Sequence, residues 1–198
     1  MTDLAEELKS IAAEGMQLPR LCTDPAAILA VMINEVVPER PEDDFYGSAP
    51  EPMYLTTALP LFRRAGLPVS SIRDVTDTGI YITNAVKIPK KQTTVPQEMI
   101  EESLPVLERE LVLFPNLRAV MLMGDIAKKA FNMITRRKTG KNAIPSGSTY
   151  KLRSTPFHAM GLRIFPSYIM TGRNILIEKS KTAMASEDIR AMLEFIRS

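Results

Sequence analysis

Residues 28–33, Ile28-Leu29-Ala30-Val31-Met32-Ile33, form an unbroken apolar run that ends at the polar pair Asn34 and Glu35 and then enters an acidic loop stiffened by Pro38 and Pro41. A strand with one wetted face alternates polar and apolar residues. A run without alternation reads as a strand covered on both faces, as in a parallel sheet with helices on either side. In such sheets ligands sit at the carboxyl ends of the strands, so Asn34 and Glu35 stand where chemistry is placed. The two prolines fix φ and deny continuation of helix or ladder, which leaves Glu42, Asp43, Asp44, Phe45 and Tyr46 in a loop. The same acids also read as a plain solvated surface loop.

Further runs of this kind follow. Residues 79–86 are rich in β-branched and aromatic residues and predict a second buried strand that passes through Asn84. The Asn84 amide offers two donors and an acceptor, enough to pair with the edge of a base or simply to cap a turn. Residues 117–123 predict a third strand, running through Gly124 and Asp125 into a helix that bears Ile126, Ala127, Ala130, Phe131 and Ile134. Gly124 lets a ligand approach the backbone, and the helix start favours an anion; Asp125 serves equally as a helix cap. Residues 162–166 predict a fourth strand with an exit loop over 167–174.

Helical spacing of Leu4, Leu8 and Ile11 predicts a first helix that ends at Gly15 and packs outside the sheet. A second is predicted over 54–65, with Pro60 implying a kink or a later start. A third covers 96–114, with Met99, Ile100, Leu104, Leu107, Leu111 and Leu113 inward and Glu101, Glu102, Glu108, Arg109 and Glu110 outward; Pro105 implies a kink or break. A last helix is predicted over 186–196. Alternating strands and helices define an α/β chain: a three-layer αβα sandwich around a central, mostly parallel sheet of about four strands. With 198 residues and 45% hydrophobic content, it reads as a single domain over 1–198.

A net charge of +2 and a sequence pI near 8.7 do not by themselves imply nucleic acid. The charge is uneven, however. Arg136, Arg137, Lys138, Lys141, Lys151 and Arg153 follow one another with no acid between, beside Tyr150, and read as a phosphate-contacting surface or as a solvated face. Lys87, Lys90 and Lys91 form a second basic loop after the 79–86 strand. The one cysteine, Cys22, excludes an internal disulfide and an all-cysteine metal site, and the one histidine, His158, makes a histidine-rich metal site untenable. No metal is expected, and His158 reads as structural. The acidic, amphipathic start and the lack of any apolar run near the ~18 residues that span a bilayer predict a cytoplasmic protein without a membrane partner, and a monomer.

The succession of Ile33-Asn34-Glu35 before the proline-rich acidic loop, Tyr81-Ile82-Thr83-Asn84-Ala85-Val86-Lys87, Leu122-Met123-Gly124-Asp125-Ile126-Ala127 and Phe165-Pro166-Ser167-Tyr168 resembles the uracil-DNA glycosylase superfamily. The likeness spans residues 28–196 in the right order. It is greatest to bacterial members whose biochemical role is not settled, with Ile177-Glu178-Lys179-Ser180-Lys181 as a family-like stretch. It implies a pocket at the strand ends that accepts a base turned out of DNA, and a repair hydrolase that cleaves the N-glycosidic bond of a damaged or deaminated base without a cofactor. The implied partner is single- or double-stranded DNA, or a nucleobase or nucleotide.

Carried over residue by residue, the resemblance gives Asn34 and Glu35 to the motif that activates water or stabilises the positive sugar. The spacing to Pro38 is one residue out of step with the common form, which leaves Glu35, Glu42 and Asp43 as candidates for the acting carboxylate. Asn84 matches the asparagine that reads the base edge, and Tyr46 the aromatic that stacks on it. Gly124, Arg136, Arg137, Lys138 and Lys141 are the expected DNA-phosphate contacts. The chain departs from the pattern where relatives carry histidine, proline and serine: here stand Ile169, Met170 and Thr171. Losing one donor aimed at developing negative charge typically costs about a hundred- to a thousandfold in rate. That departure opens the alternative of a weak or inactive nucleobase-binding module of the same fold. Cluster-bearing branches use four cysteines, so with Cys22 alone no iron–sulfur cluster is expected.

Overall fold

The computed structural model describes residues 1–90, 94–172 and 174–198, so Lys91 of the expected basic loop and Arg173 of the expected exit loop lie outside the described residues. In chain order the elements are β1 (Thr2–Asp3), α1 (Leu4–Lys9), β2 (Cys22–Thr23), β3 (Ala30–Val36), α2 (Met53–Arg64), α3 (Ile72–Asp77), β4 (Ile80–Val86), α4 (Gln97–Leu113), β5 (Ala119–Met123), α5 (Asp125–Thr139), α6 (Thr149–Leu152), β6 (Phe157–Ala159), β7 (Leu162–Ser167), α7 (Asn174–Ile177) and α8 (Lys179–Arg197). The main sheet has the order β4-β3-β5-β7-β6; its first four strands are parallel and β6 is antiparallel.

The three-layer α/β reading holds, and the strands show why. Alternate residues of each strand face opposite sides, and both sides are apolar. Ala30, Met32, Ile80, Ile82, Met121 and Phe165 pack against Leu59 and Phe62 of α2, Val75 of α3, and Ile189 and Leu193 of α8. Val31, Ile33, Tyr81, Val120, Leu122 and Ile164 pack on the other side against Leu4 of α1, Leu104 and Leu107 of α4, and Phe131 and Ile134 of α5.

The sheet holds five strands where four were expected. The extra strand, β6, is three residues long and folds back on β7 through Met160 (φ 52°) and Gly161 (φ 78°), a two-residue turn with both central residues left-handed. A Met-Gly pair is a weak announcement of such a turn. β6 pairs only as far as Ile164, so Pro166 occupies a stretch of β7 whose outer side has no partner strand, where its missing N–H costs no ladder bond. His158 lies on β6 opposite Arg163, toward the start of β7.

Several expectations about helices change. α8 begins at Lys179, seven residues before the expected start at 186. α1 stops at Lys9, leaving Ile11 exposed. α3 was not foreseen, although Ser71 and Asp74 form a reciprocal capping box at its start. α2 starts before Pro60 and α4 runs unbroken past Pro105, so the later start and the break do not occur. The outward assignment of Glu110 is corrected too: it is fully buried, facing Tyr81 and Thr83 of β4.

Candidate functional site

β3 continues to Val36, three residues past Ile33, where the apolar run ends. Asn34 and Glu35 are therefore consecutive strand residues and project to opposite faces of the sheet. Beyond Ile33, which pairs with Leu122, β3 has outrun β5. The chain leaves β3 toward α2 on one face of the sheet and leaves β5 toward α5 on the other. Diverging connections between neighbouring parallel strands open a crevice, the usual ligand position in a sheet of this kind.

A cavity of about 930 Å³ opens there, lined by Glu35, Gly124, Asp125, Tyr150, Tyr168, Ile169, Thr171 and Lys181 among others. Glu35 Oε1 accepts a hydrogen bond from the Ile126 backbone N–H at 3.0 Å, in the first turn of α5. Burial raises the proton affinity of the Glu35 carboxyl above the ordinary glutamate range; the Ile126 N–H opposes that rise and the Asp125 charge adds to it. Gly124, with φ 99° and ψ 179°, holds a backbone conformation nearly confined to glycine. A Cβ there would collide with the Glu35 carboxylate and with Ile169. Gly124 is thus required by the close approach of two other cavity residues.

Asn34 and Asn84 are in register on adjacent strands and at the same sheet edge. Neither lines the cavity; they are 1% and 3% exposed and lie behind it. Asn84 Nδ2 donates to both oxygens of Asp44, at 3.0 and 3.1 Å. Asn34 Nδ2 donates to Asn84 Oδ1 at 2.8 Å and to the Val36 carbonyl at 3.4 Å. Thr171 Oγ1 donates to Asn34 Oδ1 at 3.2 Å, and Thr171 does line the cavity. Burial also pushes the Asp44 carboxyl above its ordinary range, against the pull of the Asn84 amide. Asp44 and Thr171 are the members of this candidate site that sequence reasoning undervalued. An acid pressed between a proline-bounded turn and two aromatics was the available signal for Asp44.

Other expected site residues fall elsewhere. Tyr46 stacks on Tyr81, ring centroids 5.7 Å apart, and its hydroxyl accepts the Ile82 N–H. β4 is an edge strand, so that N–H has no strand partner, and Tyr46 covers the edge instead of facing the cavity. Asp43 caps α2 through the Met53 N–H and pairs with Arg40, which also holds Glu42; both acids lie in the short turn Pro41–Asp43, outside the cavity wall. Lys87, expected in a basic loop, is 2% exposed and pairs with Glu110 at 2.7 Å.

The basic cluster is dispersed. Arg136, Arg137 and Lys138 occupy the last turn of α5, whose first turn is at the cavity. The rise along the helix from Asp125 puts them about 17–20 Å away. Lys138 pairs with Glu108, and Arg153 is held by Asp188 and Glu187. Lys141 is exposed beyond the end of α5 and Lys151 is exposed on α6, next to the cavity-lining Tyr150. Lys181 of the 177–181 stretch lines the cavity and pairs with Glu178 at 2.7 Å.

A family model described as the uracil DNA glycosylase superfamily matches residues 37–190. The chain belongs to the uracil DNA glycosylase superfamily. The match starts directly after β3 and takes in the acidic loop, β4, β5, the start of α5 and the loop after β7, all of which surround the cavity or the buried amides behind it. No curated protein matches the chain. Among the described residues, no helix of this superfamily member is long and apolar enough to cross a membrane.

Proposed function

We propose that the protein hydrolyses the N-glycosidic bond of a nucleotide whose base is turned out of DNA into this cavity, with Glu35 as the carboxylate beside the sugar. The observation that carries the reading is the Glu35 carboxylate, half-buried on the wall of a strand-end cavity and pinned by the Ile126 N–H. Pinning one oxygen fixes the plane of the carboxylate at no further cost when the reaction begins. Burial makes the group a stronger base than a solvated glutamate, suited to taking a proton from water. In the reaction water adds to the sugar carbon, Glu35 accepts the water's proton and offsets positive charge on the sugar, and the bond to the base breaks with its electrons leaving on the base. No cofactor enters this scheme, and the unit that performs it is the single domain 1–198.

A second reading has its own support. Ile169 stands on the cavity wall at the position where the family pattern has histidine, and its side chain has no hydrogen to donate to a departing base. A pocket that binds a base or nucleotide without cleaving it needs no such donor.

One experiment separates the two. Purified protein is incubated with oligonucleotides carrying uracil, hypoxanthine, xanthine or a mismatch, and alkali-labile abasic sites are measured. The hydrolase reading expects release of at least one base and a loss of about a hundredfold or more in chemical rate for Glu35→Gln, with binding little changed. Binding without release from any member of the panel replaces it with the binding module.

A further inference from the structure

The buried amides behind the cavity have a direction, and that direction sets what the cavity wall offers a ligand. It starts from two acceptors. The Val36 carbonyl and the Asp44 carboxyl oxygens take hydrogens from Asn34 Nδ2 and Asn84 Nδ2, which fixes both amides. Asn84 Oδ1 is then turned toward Asn34 and Asn34 Oδ1 toward Thr171. An amide oxygen cannot donate, so the single hydroxyl hydrogen of Thr171 is spent on Asn34, and what Thr171 retains for the cavity is lone pairs. On the same wall Glu35 presents a carboxylate.

We propose that Thr171 gives the cavity wall a hydrogen-bond acceptor that selects a base through an N–H donor on its edge, such as an exocyclic amine. Asn34 and Asn84 are positioning residues that hold Thr171 in this polarity without touching the base. The inference rests on the base-binding part of the function proposed above and is independent of catalysis. It also accounts for the burial of Asn84. An amide fully engaged with Asp44 and Asn34 reads nothing directly; it passes the polarity of Asp44 forward over two hydrogen bonds.

The test uses free bases in pairs that differ only by the amine: adenine against purine, and cytosine against 2-pyrimidinone. Affinities are measured by calorimetry or ligand-observed NMR. For the wild-type protein the amine-bearing partner of each pair should bind about fivefold tighter, the worth of one ordinary hydrogen bond. Thr171→Val, which keeps the shape, should abolish that ratio, and Thr171→Ser should keep it. Asn84→Leu should reduce the ratio while leaving the affinity for purine within about twofold, a split that mere loss of structure does not produce. The inference is overturned if wild-type protein binds purine as well as adenine, if none of the four bases binds, or if Thr171→Val retains the preference. A protein that prefers amine-bearing bases and releases none from DNA keeps this inference and loses the hydrolase reading. Release of bases without any such preference does the reverse.

Discussion

Glu35 is a group that the fold holds at a cost, and that cost is measurable. Its carboxyl proton is held more tightly in the folded chain than in the unfolded one, chiefly through burial. For a raised acid the sign is definite: the folded state binds more protons over the window between the ordinary and the raised value, so stability falls as pH rises through that window. Glu35→Gln removes the ionisation and keeps an oxygen for the Ile126 N–H. Its melting temperature should exceed that of the wild type at neutral pH and match it below the ordinary glutamate range, as thermal melts at the two pH values will show; a difference that does not vary with pH would contradict the buried charge. Under the proposed hydrolysis the rate should climb on its acid limb at a pH above the ordinary glutamate value, since only the ionised form can take the proton from water. Gly124→Ala should cost about 1–3 kcal/mol of stability, because its backbone region excludes a side chain, and it should disturb the Glu35 pH dependence by pushing on that carboxylate.

β4 and α4 are joined by a charge pair inside an apolar layer. Lys87 Nζ contacts Glu110 Oε2 at 2.7 Å and Thr83 Oγ1 at 2.6 Å, while the Tyr81 hydroxyl donates to Glu110 Oε1 at 2.7 Å. Replacing one partner leaves the other buried and uncompensated, so Lys87→Met should destabilise by about 3–5 kcal/mol. The double variant Lys87→Met, Glu110→Gln keeps an acceptor for Tyr81 and Thr83 without a charge and should recover most of that loss. Denaturant unfolding of the single and double variants measures both. These residues were legible only as a basic loop and a solvated helix face. Period 2 along β4 puts Tyr81, Thr83 and Lys87 on one side of the strand, but nothing in the helical spacing of 97–113 says that a glutamate will be the residue that meets them.

The molecule as a whole separates its cavity from the arginines at the end of α5. α5 starts at the cavity and carries Arg136 and Arg137 about 17–18 Å away, which is about five base pairs of duplex at 3.4 Å each. Charge reversal at Arg136, Arg137 and Lys141 should therefore leave binding unchanged for duplexes that extend fewer than about five base pairs from the target base. With longer duplexes the same variant should bind more weakly and with a shallower salt dependence, each lost phosphate contact lowering the log–log slope by about one. Fluorescence anisotropy over a series of duplex lengths and salt concentrations reads this out, and an effect on the shortest duplex would place DNA along a different path. Lys181, on the cavity wall, should matter at every length.

What the chain determines by itself is whatever depends on neighbours along it. Ile28 to Ile33, Tyr81 to Val86 and Val120 to Met123 are apolar on both strand faces, which by itself demands helices on both sides and a parallel sheet. The order of the motifs then places Asn34, Glu35, Asn84 and Gly124 at one edge of that sheet. The tertiary structure decided what those residues meet there. One further turn of extended backbone, carrying β3 to Val36, sends Asn34 and Glu35 to opposite faces, one to a buried amide relay and the other to the start of α5. Asp44 and Thr171, 127 positions apart, are brought to the two ends of that relay by loops whose conformations no local periodicity encodes. The direction of the relay depends on which buried atoms are able only to accept, and that is a property of contacts across the fold.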